Sequence, residues 1–310
     1  MTVPVVLDCD PGHDDAIAIL LAAASDALDL RAVTTVGGNQ SLEKVTRNAC
    51  RVLSVAGVTD VPVAAGASGP LVRRLRVAAD VHGESGLDGP EWGPTTVRPS
   101  EVGGVELLRR TLAEAESPVA VVAAGPLTNV AALLLAHPEI TGRIREISWM
   151  GGSTGRGNVT PLAEFNAATD PEAARIVFRS GLPVTMCGLD VTHQALVTPD
   201  VLARLRSLGT TVGDIAVDLM TFFGSTYREV FGFEAPPLHD PVAVARVADP
   251  SLVRTVRVNV EVETRGDLTA GATVADLARR TGRAPNADVA LGLDADRFWD
   301  LVVGALAAYR

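Results

Sequence analysis

Asp8, Asp10, Asp14 and Asp15 put four carboxylates into the eight residues "DCDPGHDD". An apolar run, "VPVVL", comes just before them, and another, "AIAILLAAA", just after. Two like charges ~4 Å apart repel by roughly 4 kcal/mol at an effective dielectric near 20. A helix dipole offsets only about 0.3–1 kcal/mol per charge. Helix caps and turn residues therefore account for two acids more readily than for four. A hard divalent cation with oxygen ligands balances the set best. No His/Cys spacing for zinc is present.

Several cation and phosphate motifs can be weighed against this stretch. An EF-hand loop wants Gly at position six and Glu at twelve, but counting from Asp8 those positions hold His13 and Ile19. No Gly-Lys-Ser/Thr occurs, which excludes a P-loop. A haloacid-dehalogenase-type phosphatase also opens with a strand and Asp-x-Asp; Asp8 would then be the nucleophile and Asp10 the acid. That chemistry needs a Thr or Val shortly after and a lysine to hold the phosphate. Here Pro11-Gly12 follows, and the one lysine, Lys44, falls on an early helix.

Other polar clusters recur where apolar runs end. "TVGGNQ" (35–40) carries Asn39, "AAGPLTN" (123–129) leaves the Ala124 carbonyl free, and "WMGG" (149–152) follows with Met150. In "GNVTPLAEFNAATDPEAA" (157–174), Asn158, Glu164 and Asn166 are polar between apolar neighbours. Glu164 and Asn166 share a face if the segment is extended. Amides beside a carboxylate suit a polyhydroxylated ligand such as a sugar; a polar loop satisfying its own backbone is the bland alternative. "PPLHDP" (236–241) brings His239 and Asp240 after Phe222, Phe223, Tyr227, Phe231 and Phe233. By spacing alone those aromatics read as core.

The elements that must hold these residues follow from periodicity. Strands are expected at 3–8, 30–36, 61–64, 119–124, 145–150, 183–188 and 255–263. Helices are expected at 14–25, 41–56, 101–116, 127–136, 170–180, 211–230, 240–248 and 294–309. Continuous Val/Ala/Ile strands imply a sheet covered on both faces. Their alternation with helices implies an open, mostly parallel, Rossmann-like α/β sheet. No linker divides the chain, so residues 1–310 read as one domain. The Gly/Pro-rich stretch 65–100 reads as a binding loop within it. In such sheets ligands bind beyond the carboxyl ends of the strands, where the acidic cluster and the other clusters fall.

Composition sets outer bounds. Apolar residues are 47% of the chain, enough for a large core, and no apolar run reaches the ~18 residues of a membrane span. The N-terminus lacks a basic region followed by a long apolar stretch, so no signal peptide is expected. The three cysteines, Cys9, Cys50 and Cys187, read as small buried residues in a reducing, cytoplasmic setting. With a net charge of −10 and no basic cluster beyond "RRLR" (73–76), no nucleic-acid partner is expected.

Taken together, "DCDPGHDDAIAI", "TTVGGN", "HGESGLDGP", "GPLTN", "WMGG", "AEFN" and "LHDPVAV" resemble the inosine–uridine-preferring nucleoside hydrolase family, in family order along most of the chain. The resemblance implies a Ca²⁺-dependent enzyme of nucleoside salvage. It would cleave the N-glycosidic bond of ribonucleosides to ribose and free base, by attack of a metal-activated water on an oxocarbenium-like centre. Carried over by position, it makes Asp10, Asp15, Asp240 and the Ala124 carbonyl the Ca²⁺ ligands, with Asp10 also taking a proton from the water. Asp14, Asn39 and Asn166 would hold the ribose, Asn158 and Glu164 its 3′ and 5′ side, and Met150 would lie under it. His82, Phe165, Phe223, Tyr227 and His239 would surround the base, with His239 or His82 as the leaving-group acid. Asp8 would support the cluster from behind. Family members are usually homodimers or homotetramers. A catalytically silent nucleoside- or ribose-binding homologue is the third class to distinguish, and purine against pyrimidine preference is left open.

Overall fold

The structure, a computed structural model, describes residues 2–309. Its first half alternates strand and helix. Strand β1 (Val3–Cys9) runs into helix α1 (His13–Ala24), β2 (Leu28–Thr35) into α2 (Leu42–Val55), and β3 (Val63–Ala65) into the loop segment that holds the short α3 (Ala79–His82). Helix α4 (Gly104–Glu114) leads to β4 (Val119–Ala123), α5 (Thr128–Ala136) and β5 (Ile144–Met150). The short α6 (Phe165–Thr169) precedes α7 (Pro171–Phe178), β6 (Val184–Cys187) and another short helix, α8 (Leu189–Thr192). Helices α9 (Pro199–Arg206), α10 (Thr211–Phe231) and α11 (Asp240–Ala248) follow in succession. The chain ends with β7 (Val253–Val258), β8 (Val260–Val262), β9 (Thr273–Ala275), β10 (Ala287–Leu293) and α12 (Ala295–Leu306).

Eight strands form one sheet in the order β3-β2-β1-β4-β5-β6-β10-β7, parallel except where β7 pairs antiparallel with β10. Helices cover both faces, as continuous apolar strands require. The strand pleat divides β1 between two cores: Val5, Leu7 and Cys9 pack with α1, α2, α10, α11 and α12, while Val6 packs with α4, α5 and α7. Strands β1 and β4 are adjacent and parallel, with Asp8 opposite Ala123. Both therefore end at the same edge, beside the β2 end, where Cys9 pairs with Thr35.

The elements differ from the sequence reading in several places; helix α9, the short helices α3 and α8 and strand β9 were not expected at all. The expected strand at 255–263 is two strands in different sheets, because the chain turns at Asn259, whose amide donates to the Ala284 carbonyl at 3.0 Å. Strand β10 had no counterpart in that reading; its Asp288 and Gly292 interrupt the apolar run. The segment at 164–166 is not extended. Glu164 caps α6, accepting from the backbone N–H groups of Asn166 and Ala167, so Glu164 and Asn166 meet through a helix turn instead of a strand face.

Candidate active site

Strand β1 delivers its acids to two places. Asp8 has the Val6 parity, so it points toward α5. There its Oδ1 accepts from Thr34 Oγ1 at 2.6 Å and Asn129 Nδ2 at 2.7 Å, while Oδ2 is buried without a partner. Burial raises its pKa to about 6. Asn129 also accepts from Ala67 N, so Asp8 ties three loop starts together from beneath the site. Asp10 lies past the strand end. One of its oxygens accepts from Asn39 N at 2.6 Å, and the other is buried with no partner.

Pro11-Gly12 turns the chain into α1, whose first turn carries Asp14 and Asp15. Asp15 works inward: its carboxylate accepts from Asp10 N, Gly12 N and Asn39 Nδ2 at 3.2, 2.9 and 3.1 Å. Asp240 opens α11, followed by Pro241 at a position where a missing N–H costs nothing. Ligand oxygens of Asp14, Asp15 and Asp240 all lie within 4.8 Å of one another. All four acids are at most 5% exposed. Burial pushes each carboxyl pKa up; next in size is the charge of Asp15 on Asp10 and Asp14, and of Asp14 on Asp240. For Asp14 the value reaches about 8.

This donor set fits a hard cation. Asp14, Asp15 and Asp240 are all oxygen donors, buried and mutually repelling, and the neighbouring Asp10, whose charge also acts on Asp240, keeps one buried oxygen without a partner. The loops around it leave no spare room: a Cβ added at Gly38 would overlap Asp10 Oδ2, and one at Gly125 would lie 2.6 Å from Asp10 Oδ1. Asp10, Asp14, Asp15 and Asp240 are the residues that could hold the ion. The Ala124 carbonyl shares their edge and accepts from Asn166 Nδ2 at 2.9 Å.

Above the acids sits a pocket of about 310 Å³. Asp14, Asn39, Ala124, Met150, Asn166 and Asp240 form its floor and near wall. Asn158, Glu164 and Phe165 line it as well, and so do His82, Phe223, Tyr227 and His239. The structure thus brings together nearly every residue singled out in the sequence; Asp10 and Asp15 lie just beneath. Both Glu164 oxygens are held by backbone N–H groups, of Asn166, Gly152 and Ala167, while burial still raises its pKa to about 7.

The histidines are wired differently from one another. His239 Nε2 is 2.7 Å from Tyr227 Oη and its Nδ1 is 2.8 Å from Thr192 Oγ1. Burial lowers its pKa to about 3, so in the resting site it is a neutral ring with one N–H. His82 meets His13, with 3.1 Å between their Nδ1 atoms. Thr192 and His13 were not among the residues chosen from the sequence: Thr192 sits on a four-residue helix with no pattern of its own.

The phosphatase alternative does not survive this geometry. Asp8 is fully buried and engaged on the other face. Lys44 is spent on Gln40 and the Glu84 carbonyl, where with Gln40 and Asn48 it ties down the loop after His82.

Comparison with known proteins points one way. A family description, "Inosine-uridine preferring nucleoside hydrolase", matches residues 5–300. The pyrimidine-specific ribonucleoside hydrolase RihA of Escherichia coli O81 (strain ED1a) is 50% identical over the whole of both chains. Among solved structures, a purine-preferring ribonucleoside hydrolase from Gardnerella vaginalis superposes with a TM-score of 0.92 at 34% identity, covering 99% of this chain and 98% of that one. A plant nucleoside hydrolase, PpNRh1, gives 0.92 at 32% identity over 99% and 100%.

Proposed function

This chain belongs to the inosine-uridine preferring nucleoside hydrolase family and is a ribonucleoside hydrolase, and on that premise we propose that it is a Ca²⁺-dependent enzyme with a preference for pyrimidine ribonucleosides. The observation that carries the reading is the buried, oxygen-only Asp14/Asp15/Asp240 cluster, with Asp10 beneath it, at the floor of a pocket walled by two histidines and four aromatic rings. The pyrimidine preference rests on the full-length 50% identity to RihA, against 34% to the purine-preferring neighbour.

Asp10, Asp15, Asp240 and the Ala124 carbonyl would hold the ion. When bound, Ca²⁺ supplies positive charge that orients vicinal hydroxyls and makes a nearby water more acidic. The chain's own groups do the rest. Asp10 takes a proton through its free oxygen. Asp14, Asn39 and Asn166 hold the ribose hydroxyls, and Asn158 and Glu164 the far side of the sugar. The surrounding carboxylates and dipoles stabilise the positive charge that develops at the glycosidic carbon. Phe165, Phe223 and Tyr227 enclose the base and exclude water. His239 gives a hydrogen to the departing base, directly or through the Tyr227 hydroxyl; a neutral ring still offers an N–H where negative charge grows.

The test is a panel of uridine, cytidine, inosine, guanosine, adenosine and 2′-deoxyuridine, with free base measured by chromatography. Uridine and cytidine should lead and 2′-deoxyuridine should be poor. Release from purine ribosides alone would overturn the pyrimidine reading, and no release from any would overturn the enzymatic one. We further propose a cytoplasmic homodimer or homotetramer, which solution scattering of the purified protein checks.

A further inference from the structure

No step of the proposed reaction uses Lys44, the one lysine of the chain. It belongs to a row of donors facing the turn that follows His82. That turn offers three successive carbonyls, and each meets a different side chain. Gln40 Nε2 donates to the Gly83 carbonyl at 3.0 Å, Lys44 Nζ to the Glu84 carbonyl, and Asn48 Nδ2 to the Ser85 carbonyl at 2.9 Å. Lys44 and Asn48 are one turn apart on α2, and Gln40 stands four residues before Lys44 in the lead-in to the helix. Lys44 Nζ also donates to the Gln40 amide oxygen at 3.3 Å, joining two of the donors to each other.

The turn lies tight against α2. Gly83 and Gly86 have φ of 73° and 85°, backbone that favours glycine. A Cβ at Gly86 would lie 2.9 Å from Asn48 Nδ2. On the inner side, Asp88 accepts from Glu84 N at 2.9 Å and Ser85 N at 3.2 Å. The inward N–H groups are thus closed by Asp88 and the outward carbonyls by the row of donors.

The same row reaches the acids. Asn48 is fully buried, and its Nδ2 donates to the Pro11 carbonyl at 3.1 Å as well as to Ser85. Its amide oxygen has no hydrogen-bond partner among the described residues. A buried amide that leaves its acceptor unmade is there for its two N–H groups. Those two bonds span Pro11, next to Asp10, and Ser85, three residues beyond His82. Asn39 makes a second link from the α2 lead-in, through its N–H to Asp10 and its amide to Asp15. The His82 turn and the acid floor are therefore both registered against one helix.

We propose that Gln40, Lys44 and Asn48 are positioning residues, a clamp that sets His82 against the acid floor and so determines how tightly the nucleobase is gripped. This rests on the nucleoside reading of the pocket, which His82 lines. Lys44 is the member to vary. Its side chain is 31% exposed and its bonds go to Gln40 and the turn, whereas Asn48 also supports the acid turn. The Glu84 carboxylate, 3.8 Å away and almost fully exposed, adds little.

The test compares Ca²⁺-loaded wild-type protein with Lys44→Met, which keeps most of the stem and removes the donor. KM for uridine should rise about tenfold, the size of one hydrogen bond from a charged group, with kcat changed less. Inhibition by free ribose, which occupies the floor alone, and Ca²⁺ affinity should both hold. Lys44→Arg should recover most of the loss. Hydrogen exchange followed by mass spectrometry should quicken over residues 83–88 and stay unchanged over residues 10–15. Uridine and ribose binding weakened alike, or exchange quickened alike in both segments, would make Lys44 a packing residue and overturn the proposal. An unchanged KM for uridine would overturn it too, by showing that the turn does not set the grip on the base. Wild-type protein that releases no base from any nucleoside would defeat the functional reading, while exchange in the two segments would still decide whether the clamp holds the turn.

Discussion

The backbone N–H of Asn39 donates to Asp10 Oδ2 at 2.6 Å, and the other Asp10 oxygen is buried with no protein partner. One end of the carboxylate is thus fixed by the loop after β2, and the free end stays buried beneath the pocket. An unpartnered buried carboxylate oxygen is costly unless something binds it; on the proposed reading, the cation and its water meet Asp10 there.

Asp10→Asn keeps an oxygen for the ion but removes the base. It should leave the fold and bound Ca²⁺ in place and lower kcat by at least the 10²–10⁴-fold typical of general base loss, roughly. Calorimetric Ca²⁺ binding beside turnover checks this; bound Ca²⁺ with near-normal kcat would put the base elsewhere.

Gly38→Ala tests the cradle itself. The added Cβ would overlap Asp10 Oδ2. Asp10 must then move or the loop must open, and Ca²⁺ affinity should fall at least tenfold, with activity following it. A variant with unchanged Ca²⁺ affinity would mean that Asp10 is not among the ligands.

Removal of the metal should steepen the loss of stability with rising pH. In the metal-free protein Asp8, Glu164 and Asp14 have pKa values raised by burial to about 6, 7 and 8. The folded state then holds protons that the unfolded chain has lost. Their contribution is fully present below pH ~4 and is lost as pH rises through the folded values. Chelated protein should therefore melt progressively lower between about pH 5 and 8, and Ca²⁺ should flatten that slope. Identical pH profiles with and without Ca²⁺ would count against a metal at these acids. Chelation should also abolish turnover, and Ca²⁺ restore it.

His239→Ala should lower kcat/KM on uridine by about 10²–10⁴-fold. The loss should be far smaller on a nitrophenyl riboside, whose leaving group departs without a proton. If both substrates suffer alike, His239 serves only to brace the Asp240 turn.

The β1–α1 unit was legible because three signals agree there: a continuous apolar run, a Pro-Gly turn and acids in a first helical turn. Helix α11 was read to its ends for the same reason, since His239-Asp240-Pro241 marks its start. Strand β10 was not, because Gly292 breaks its pattern and the sheet, not the local sequence, completes it. Glu164 was found as a pocket residue but misread as extended, since a five-residue helix has too few turns to show a period. His13 could not be assigned a role from sequence at all. Its partner lies 69 residues away, and only the fold brings the two rings together.

The central claim is hydrolysis of a ribonucleoside at the acid-lined pocket. It is tested most directly by incubating Ca²⁺-loaded protein with uridine in phosphate-free buffer and measuring uracil and reducing sugar together. The account predicts equimolar uracil and free ribose, with neither formed after chelation. Uridine bound but left intact, or cleaved only when phosphate is added, would contradict it.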